Sequence, residues 1–129
     1  GNPLTHCILR GSLNKHGVSM PNYHYEDLIA LCDAYHKFDK LKNPAVIVDA
    51  NHNNSGKQWD EQPRIVKEIL HSMRHSTDVA GLVKGVMVES YIEDGNQPVG
   101  GGCYGKSITD PCLGWEKSEK LLLEMADLL

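Results

Sequence analysis

Ala45-Val46-Ile47-Val48-Asp49-Ala50-Asn51-His52-Asn53-Asn54-Ser55-Gly56-Lys57-Gln58 is the stretch from which the fold is read. Four apolar residues run directly into acidic, amide, imidazole, hydroxyl and ammonium groups, the pattern of a buried parallel strand that delivers chemistry from its carboxyl end. The pattern recurs at Cys7-Ile8-Leu9-Arg10-Gly11-Ser12, at Gly85-Val86-Met87-Val88-Glu89-Ser90 and at Tyr104-Gly105-Lys106-Ser107-Ile108-Thr109-Asp110. Four short strands, each tipped by a charged or coordinating residue, predict an α/β enzyme with four parallel strands.

Between the strands the helical signals are uneven. Residues 13 to 22 are polar, contain Gly17 and Pro21, and are expected to form a loop. Asn22 is placed to cap a helix whose apolar residues Leu28, Leu31, Cys32, Tyr35 and Phe38 repeat at three and four, leaving His24 and His36 on its surface without a partner. Asn53 to Gly56 are capping and turn residues whose backbone N–H groups would receive an anion above the strand end. A second helix is predicted from about Asp60, with Pro63 in its first turn and a stripe of Ile65, Val66, Ile69, Leu70 and Met73. His71 and His75 lie four apart on it, a spacing that alone reads as solvent-facing. Residues 76 to 84 cross to the third strand. Between Ser90 and Gly105 the composition is turn-forming throughout, so that crossover is a loop or small hairpin in place of a helix. Residues 115 to 128 close the chain as a third helix with a broad apolar arc.

At 129 residues the chain is one domain at most and well short of the roughly 250 that an eight-stranded α/β barrel needs. With 13 basic against 17 acidic residues the net charge is −4, which argues against a nucleic-acid surface while leaving small anionic ligands open. Cys7, Cys32, Cys103 and Cys112 are too sparse for a disulfide scaffold and lack metal-finger spacing, so a reduced, cytoplasmic setting is expected. No apolar run reaches the length of a membrane span and no leader pattern opens the chain. Gly1-Asn2-Pro3 leads straight into a strand, which reads as a start in mid-fold.

Collected at one sheet edge, the strand-tip groups are Arg10, His52, Glu89 and Asp110. One imidazole and two carboxylates suit a borderline or hard divalent ion, and a guanidinium suits a carboxylate or phosphate. The plainer alternative keeps Arg10 as a solvated surface residue, Glu89 and Asp110 as loop caps, and His52 hydrogen-bonded to one of them. The spacing between these residues forms no motif in itself.

Longer blocks carry a resemblance. They are Gly1-Asn2-Pro3 with Ile8-Leu9-Arg10-Gly11; Pro21-Asn22-Tyr23; Asp49 through Gln58; Gly85 to Ser90 with Gly95-Asn96-Gln97; and Tyr104 through Glu116. On these blocks the chain closely resembles the carboxyl-terminal half of the type I 3-deoxy-D-arabino-heptulosonate-7-phosphate (DAHP) synthases. The resemblance implies a TIM barrel of which residues 1 to 129 are the fifth to eighth strands, an incomplete domain with about three helices. It implies the condensation of phosphoenolpyruvate with erythrose 4-phosphate, the first step of the shikimate pathway. The implied metal ligands are His52, Glu89 and Asp110, for a divalent ion such as Mn, Fe, Co or Zn. The implied substrate-binding residues are Arg10, His52 and Lys57, and the implied catalytic residues His52, Lys57 and Asp110. The family's fourth ligand is a cysteine from an earlier strand, and none of the four cysteines here stands at its position. The implied partners are the missing amino-terminal half or a second copy of the chain, since a half-barrel exposes two sheet edges and an apolar interior. A non-catalytic metal-binding or regulatory half-domain that pairs with another chain is the competing reading, and a structural remnant a third.

Overall fold

In the computed structural model, which describes residues 2–129, three strands form a parallel sheet: β1 (Cys7–Leu9), β4 (Val46–Asp49) and β5 (Val83–Met87), in the order β1-β4-β5. Ile8 pairs with Ile47 and Leu9 with Val48; on the other side Val48 pairs with Val86 and Asp49 with Met87. β4 is therefore the central strand. Successive side chains on a strand point to opposite faces, so the register sorts them into two sets. Leu9, Val46, Val48 and Val86 face the helices, where Val46 and Val48 are fully buried. Ile8, Ile47 and Met87 share the opposite face, on which Ile8 and Met87 are 44% and 37% exposed.

The helical layer contains α1 (Tyr25–His36), α3 (Gln62–His75), α4 (Thr77–Leu82) and α5 (Trp115–Leu128). α3 carries the deepest stripe, with Ile65, Val66 and Ile69 fully buried and Leu70 nearly so. Leu28 and Cys32 of α1, Val79 and Leu82 of α4, and Leu121 of α5 complete one continuous core with Leu113. Pro63 sits in the first turn of α3, where its missing N–H costs nothing. No helix among the described residues is long and apolar enough to cross a membrane. All four cysteines are free thiols.

Several expectations are corrected. The predicted loop at 13 to 22 contains a hairpin of β2 (Ser12–Leu13) and β3 (Ser19–Met20), whose strands are too short to show periodicity. Asn14 Oδ1 closes its turn by accepting from the amides of His16 and Val18. The crossing at 76 to 84 holds α4, which Ser76 Oγ caps by accepting from the Val79 amide. The first helix is capped at His24 rather than Asn22: His24 forms a capping box with Asp27, while Asn22 Oδ1 accepts from the Gly11 amide. His24 is also not partnerless, since its Nδ1 lies 2.6 Å from Glu68 Oε1.

The largest correction concerns the fourth parallel strand. Residues 104 to 110 form no strand, and the chain instead makes single bridges, Ser90 with Leu113, Gly95 with Cys112, and Asn96 with Ser107. Tyr104 and Ile108 are exposed, so the segment lacks the buried alternation that would hold it in a ladder. The Gln97 side chain takes over that task, donating to the carbonyls of Cys103 and Lys106 and accepting from the Cys103 amide. Helices also exceed the expected three, because the short α2 (His52–Ser55) and α4 join the three long ones, with a 3-10 turn at Trp59–Glu61.

Candidate metal centre

The centre begins where β4 ends. Asp49 and Asn51 are buried almost completely, and polar groups so placed persist only when paired. Asp49 Oδ1 accepts from the Asn51 amide at 2.8 Å, which turns the chain out of the strand. Asn54 Nδ2 donates to the carbonyls of Asp49 (2.8 Å) and Leu9 (3.1 Å), tying the ends of β4 and β1 together. His52 then starts α2 at φ 41°, in the left-handed region that a non-glycine residue occupies at some energetic cost. Gly56 ends the helix in the same region.

This turn aims the His52 ring. Its Nδ1 lies 2.7 Å from Asp49 Oδ2, while Nε2 faces outward, 3.6 Å from Asp110 Oδ2 and 4.0 Å from Glu89 Oε2. One donor atom from each of His52, Glu89 and Asp110 lies within 4.8 Å of the others. Ligand bonds near 2.1 Å in a tetrahedral site put neighbouring donors roughly 3.4 Å apart, so this set fits a divalent ion with little movement. Asp49 accepting at Nδ1 leaves the Nε2 lone pair free, the arrangement by which a carboxylate fixes a ligating imidazole.

Glu89 stands two residues beyond β5. Its Oε2 accepts from Asn51 Nδ2 at 2.5 Å, and Asn51 Oδ1 in turn accepts from Ser55 Oγ at 2.9 Å. Asp110 approaches from the long loop instead of a strand tip, and its second oxygen, Oδ1, pairs with Lys57 Nζ at 3.0 Å. Arg10, at the end of β1, donates from Nε to Asp49 Oδ2 at 3.2 Å, with its side chain half exposed. Arg10, His52, Lys57, Glu89 and Asp110 are thus brought to one place.

Two sequence readings fare differently here. The amides of Asn53 and Ser55, expected to face an anion, are used internally by the carbonyls of Arg10 and Asn51. Cys112 lies close by, but burial pushes its thiol up and the charges of Glu89 and Asp110 push it the same way, against a hydrogen bond from Ser107. Reasoning from the sequence assigned no part to Asp49, Asn51 or Gln62. Their signal is a polar residue at a position where the strand or helix pattern demands burial.

The profile of the DAHP synthetase I family matches residues 1–123. The chain belongs to this family. Among similar DAHP synthetase I sequences, the Trp-sensitive phospho-2-dehydro-3-deoxyheptonate aldolase of Shigella flexneri is 41% identical over 130 aligned positions, covering 98% of this chain and 34% of that protein. The phospho-2-dehydro-3-deoxyheptonate aldolase of Haemophilus influenzae is 38% identical, with 98% and 33% covered. The solved structure of phospho-2-dehydro-3-deoxyheptonate aldolase from Francisella tularensis superposes with a TM-score of 0.83 at 33% identity, covering 99% of this chain and 35% of that one. The chain therefore spans about a third of the length of the curated family members it matches.

Proposed function

We propose that this chain is the carboxyl-terminal part of the barrel of a metal-dependent DAHP synthase that condenses phosphoenolpyruvate with erythrose 4-phosphate, its residues 104 to 110 standing as a loop where an eighth strand was expected. The single observation that carries the reading is the convergence of His52, Glu89 and Asp110 in a chain of this family. These three residues would hold the ion, whether Mn, Fe, Co or Zn. A divalent ion so held supplies Lewis acidity toward an aldehyde oxygen.

The remaining work falls to the chain's own groups. Arg10 keeps its guanidinium oriented through Nε on Asp49, so its outer nitrogens present a fork to the carboxylate or phosphate of phosphoenolpyruvate. Lys57 places an ammonium beside Asp110, within reach of a substrate phosphate or of a proton in transit. In the net reaction a carbon–carbon bond forms between C3 of phosphoenolpyruvate and the aldehyde carbon. Water adds at C2, and the bond to phosphate breaks, giving DAHP and inorganic phosphate. The remaining substrate contacts and the fourth metal ligand would come from an amino-terminal half, so the isolated chain is expected to be inactive. Four free thiols suit a cytoplasmic setting.

Phosphate release from the two substrates with Mn²⁺, measured with and without the amino-terminal portion of a family member, tests this reading. Activity that appears only on mixing supports it. Tight metal binding with no activity in any mixture overturns it in favour of a non-catalytic metal-binding half-domain, a reading favoured by the fact that the hydrogen bonds framing the three ligands lie within this chain.

A further inference from the structure

β5 ends at Met87, and the last ladder bond on its β4 side is donated by the Ala50 amide to the Met87 carbonyl. Glu89 therefore lies past the pairing with β4; on its other flank the Leu113 amide donates to the Glu89 carbonyl at 2.9 Å beside the single Ser90–Leu113 bridge, while the ladder with β4 stops at Met87. The side chain of Gln62, in the first turn of α3, takes the place of a strand there. Gln62 Oε1 accepts from the Glu89 amide at 2.7 Å, and Nε2 donates to the Glu89 carbonyl at 2.9 Å and to the Trp59 carbonyl at 3.2 Å. A primary amide thus pairs with both polar groups of one residue, as a neighbouring strand would.

Gln62 is completely buried. An apolar side chain of similar volume would fill the same space without the cost of burying an amide, so packing alone does not account for it. Both ends of the amide are used on the residue that carries a candidate ligand. From the opposite side Asn51 holds the Glu89 carboxylate, so the backbone and the tip of Glu89 are fixed by two separate amides. Metal ligands tolerate displacements of only about 0.5 Å before affinity suffers.

We propose that Gln62 is a positioning residue of the metal centre, locking the Glu89 backbone so that its carboxylate meets His52 and Asp110. The inference rests on the metal-centre reading above. It acts through Glu89 and touches neither ion nor substrate.

Mn²⁺ titration of the whole 129-residue chain, followed by electron paramagnetic resonance, tests it. Gln62→Met is compared with Ile69→Val, a core change in the same helix that weakens folding without contacting Glu89. Loss of an outer-shell partner lowers affinity on the order of 10- to 100-fold, and that loss is expected for Gln62→Met, with Ile69→Val binding like the wild type. Should Gln62→Met fail to fold, Gln62→Glu keeps the length and the acceptor for the Glu89 amide while losing the donor, and is expected to weaken binding in the same direction. Wild-type affinity in the folded Gln62 variant overturns the role of Gln62 alone, as does an equal loss in Ile69→Val. Absence of Mn²⁺ binding by the wild type overturns the metal centre and the role of Gln62 with it.

Discussion

Asp49 Oδ2 lies 2.7 Å from His52 Nδ1 and serves Arg10 Nε from the same atom at 3.2 Å. One buried oxygen thereby orients both the imidazole that faces the metal position and the guanidinium that faces the anion position. Asp49→Asn disturbs both contacts at once, because both are made to the same atom. An amide nitrogen turned toward Nδ1 would force the proton to Nε2, and a protonated Nε2 cannot ligate. Mn²⁺ binding by Asp49→Asn is expected to weaken about 10-fold or more, read by paramagnetic resonance. Unchanged affinity would show that Asp49 does not set the His52 tautomer.

Gly11 holds the hairpin of β2 and β3 against α2. It sits at φ 67°, and a Cβ there would come within 2.8 Å of the Met20 carbonyl oxygen and 2.9 Å of two Asn53 atoms. Neither backbone can yield without moving the turn that carries His52. Gly11→Ala should cost on the order of 2 kcal/mol, visible as a lower urea midpoint at unchanged slope. A midpoint equal to the wild type would mean that the hairpin gives way freely.

Asp94 anchors the start of α5 by accepting from the Gly114 amide at 2.7 Å and pairing with Lys117. Burial opposes its ionisation, yet the hydrogen bonds from Lys117 and the Gly114 amide, with the charges of Lys117 and Lys106, outweigh it and hold its carboxyl below the ordinary range. A depressed folded value stabilises the fold above the unfolded pKa of about 3.9, and that contribution fades as the pH falls through the folded value. Asp94→Asn keeps the acceptor and loses the charge, so it should be less stable than the wild type at pH 7 by at most ~1 kcal/mol. Urea denaturation should show the gap narrowing toward pH 3. A gap independent of pH would remove the electrostatic explanation.

Ile8 and Met87 lie on the sheet face opposite Val46 and Val48 and are partly exposed there. That face is expected to drive self-association of the isolated chain. Light scattering on a sizing column should report a mass above one chain at micromolar concentration, falling to one chain for the double variant Ile8→Lys, Met87→Lys. A wild type that elutes as a well-folded single chain would contradict the expectation.

The parts of the fold that were legible are those where burial imposes a period. Val46, Val48, Ile65, Val66 and Ile69 were placed in the core by pattern alone, and all are fully buried. α4 spans only six residues, under two turns, and so offers no period to detect. The hairpin fails the same way. Asp110 is the instructive case: strand-tip logic named the residue while assigning it to the wrong kind of element. The loop delivers it through the Gly95–Cys112 bridge and the Gln97 clamp, which are side-chain and single-rung contacts that leave no periodic trace. The broad apolar arc of the last helix is only partly buried, since Leu122 and Leu123 on α5 and Leu129 just past its end remain exposed.

The position of β4 between two hydrogen-bonded neighbours also orders events in time. Amide hydrogens of the middle strand exchange with solvent only when the whole sheet opens, whereas those of the outer strands and the long loop have faster routes. His52 hangs from the slowest strand, Glu89 from the end of a faster one, and Asp110 from a loop held by single rungs. As the chain loosens, the centre should therefore come apart in sequence, with Asp110 departing first and the Asp49–His52 pair persisting until the sheet itself is lost.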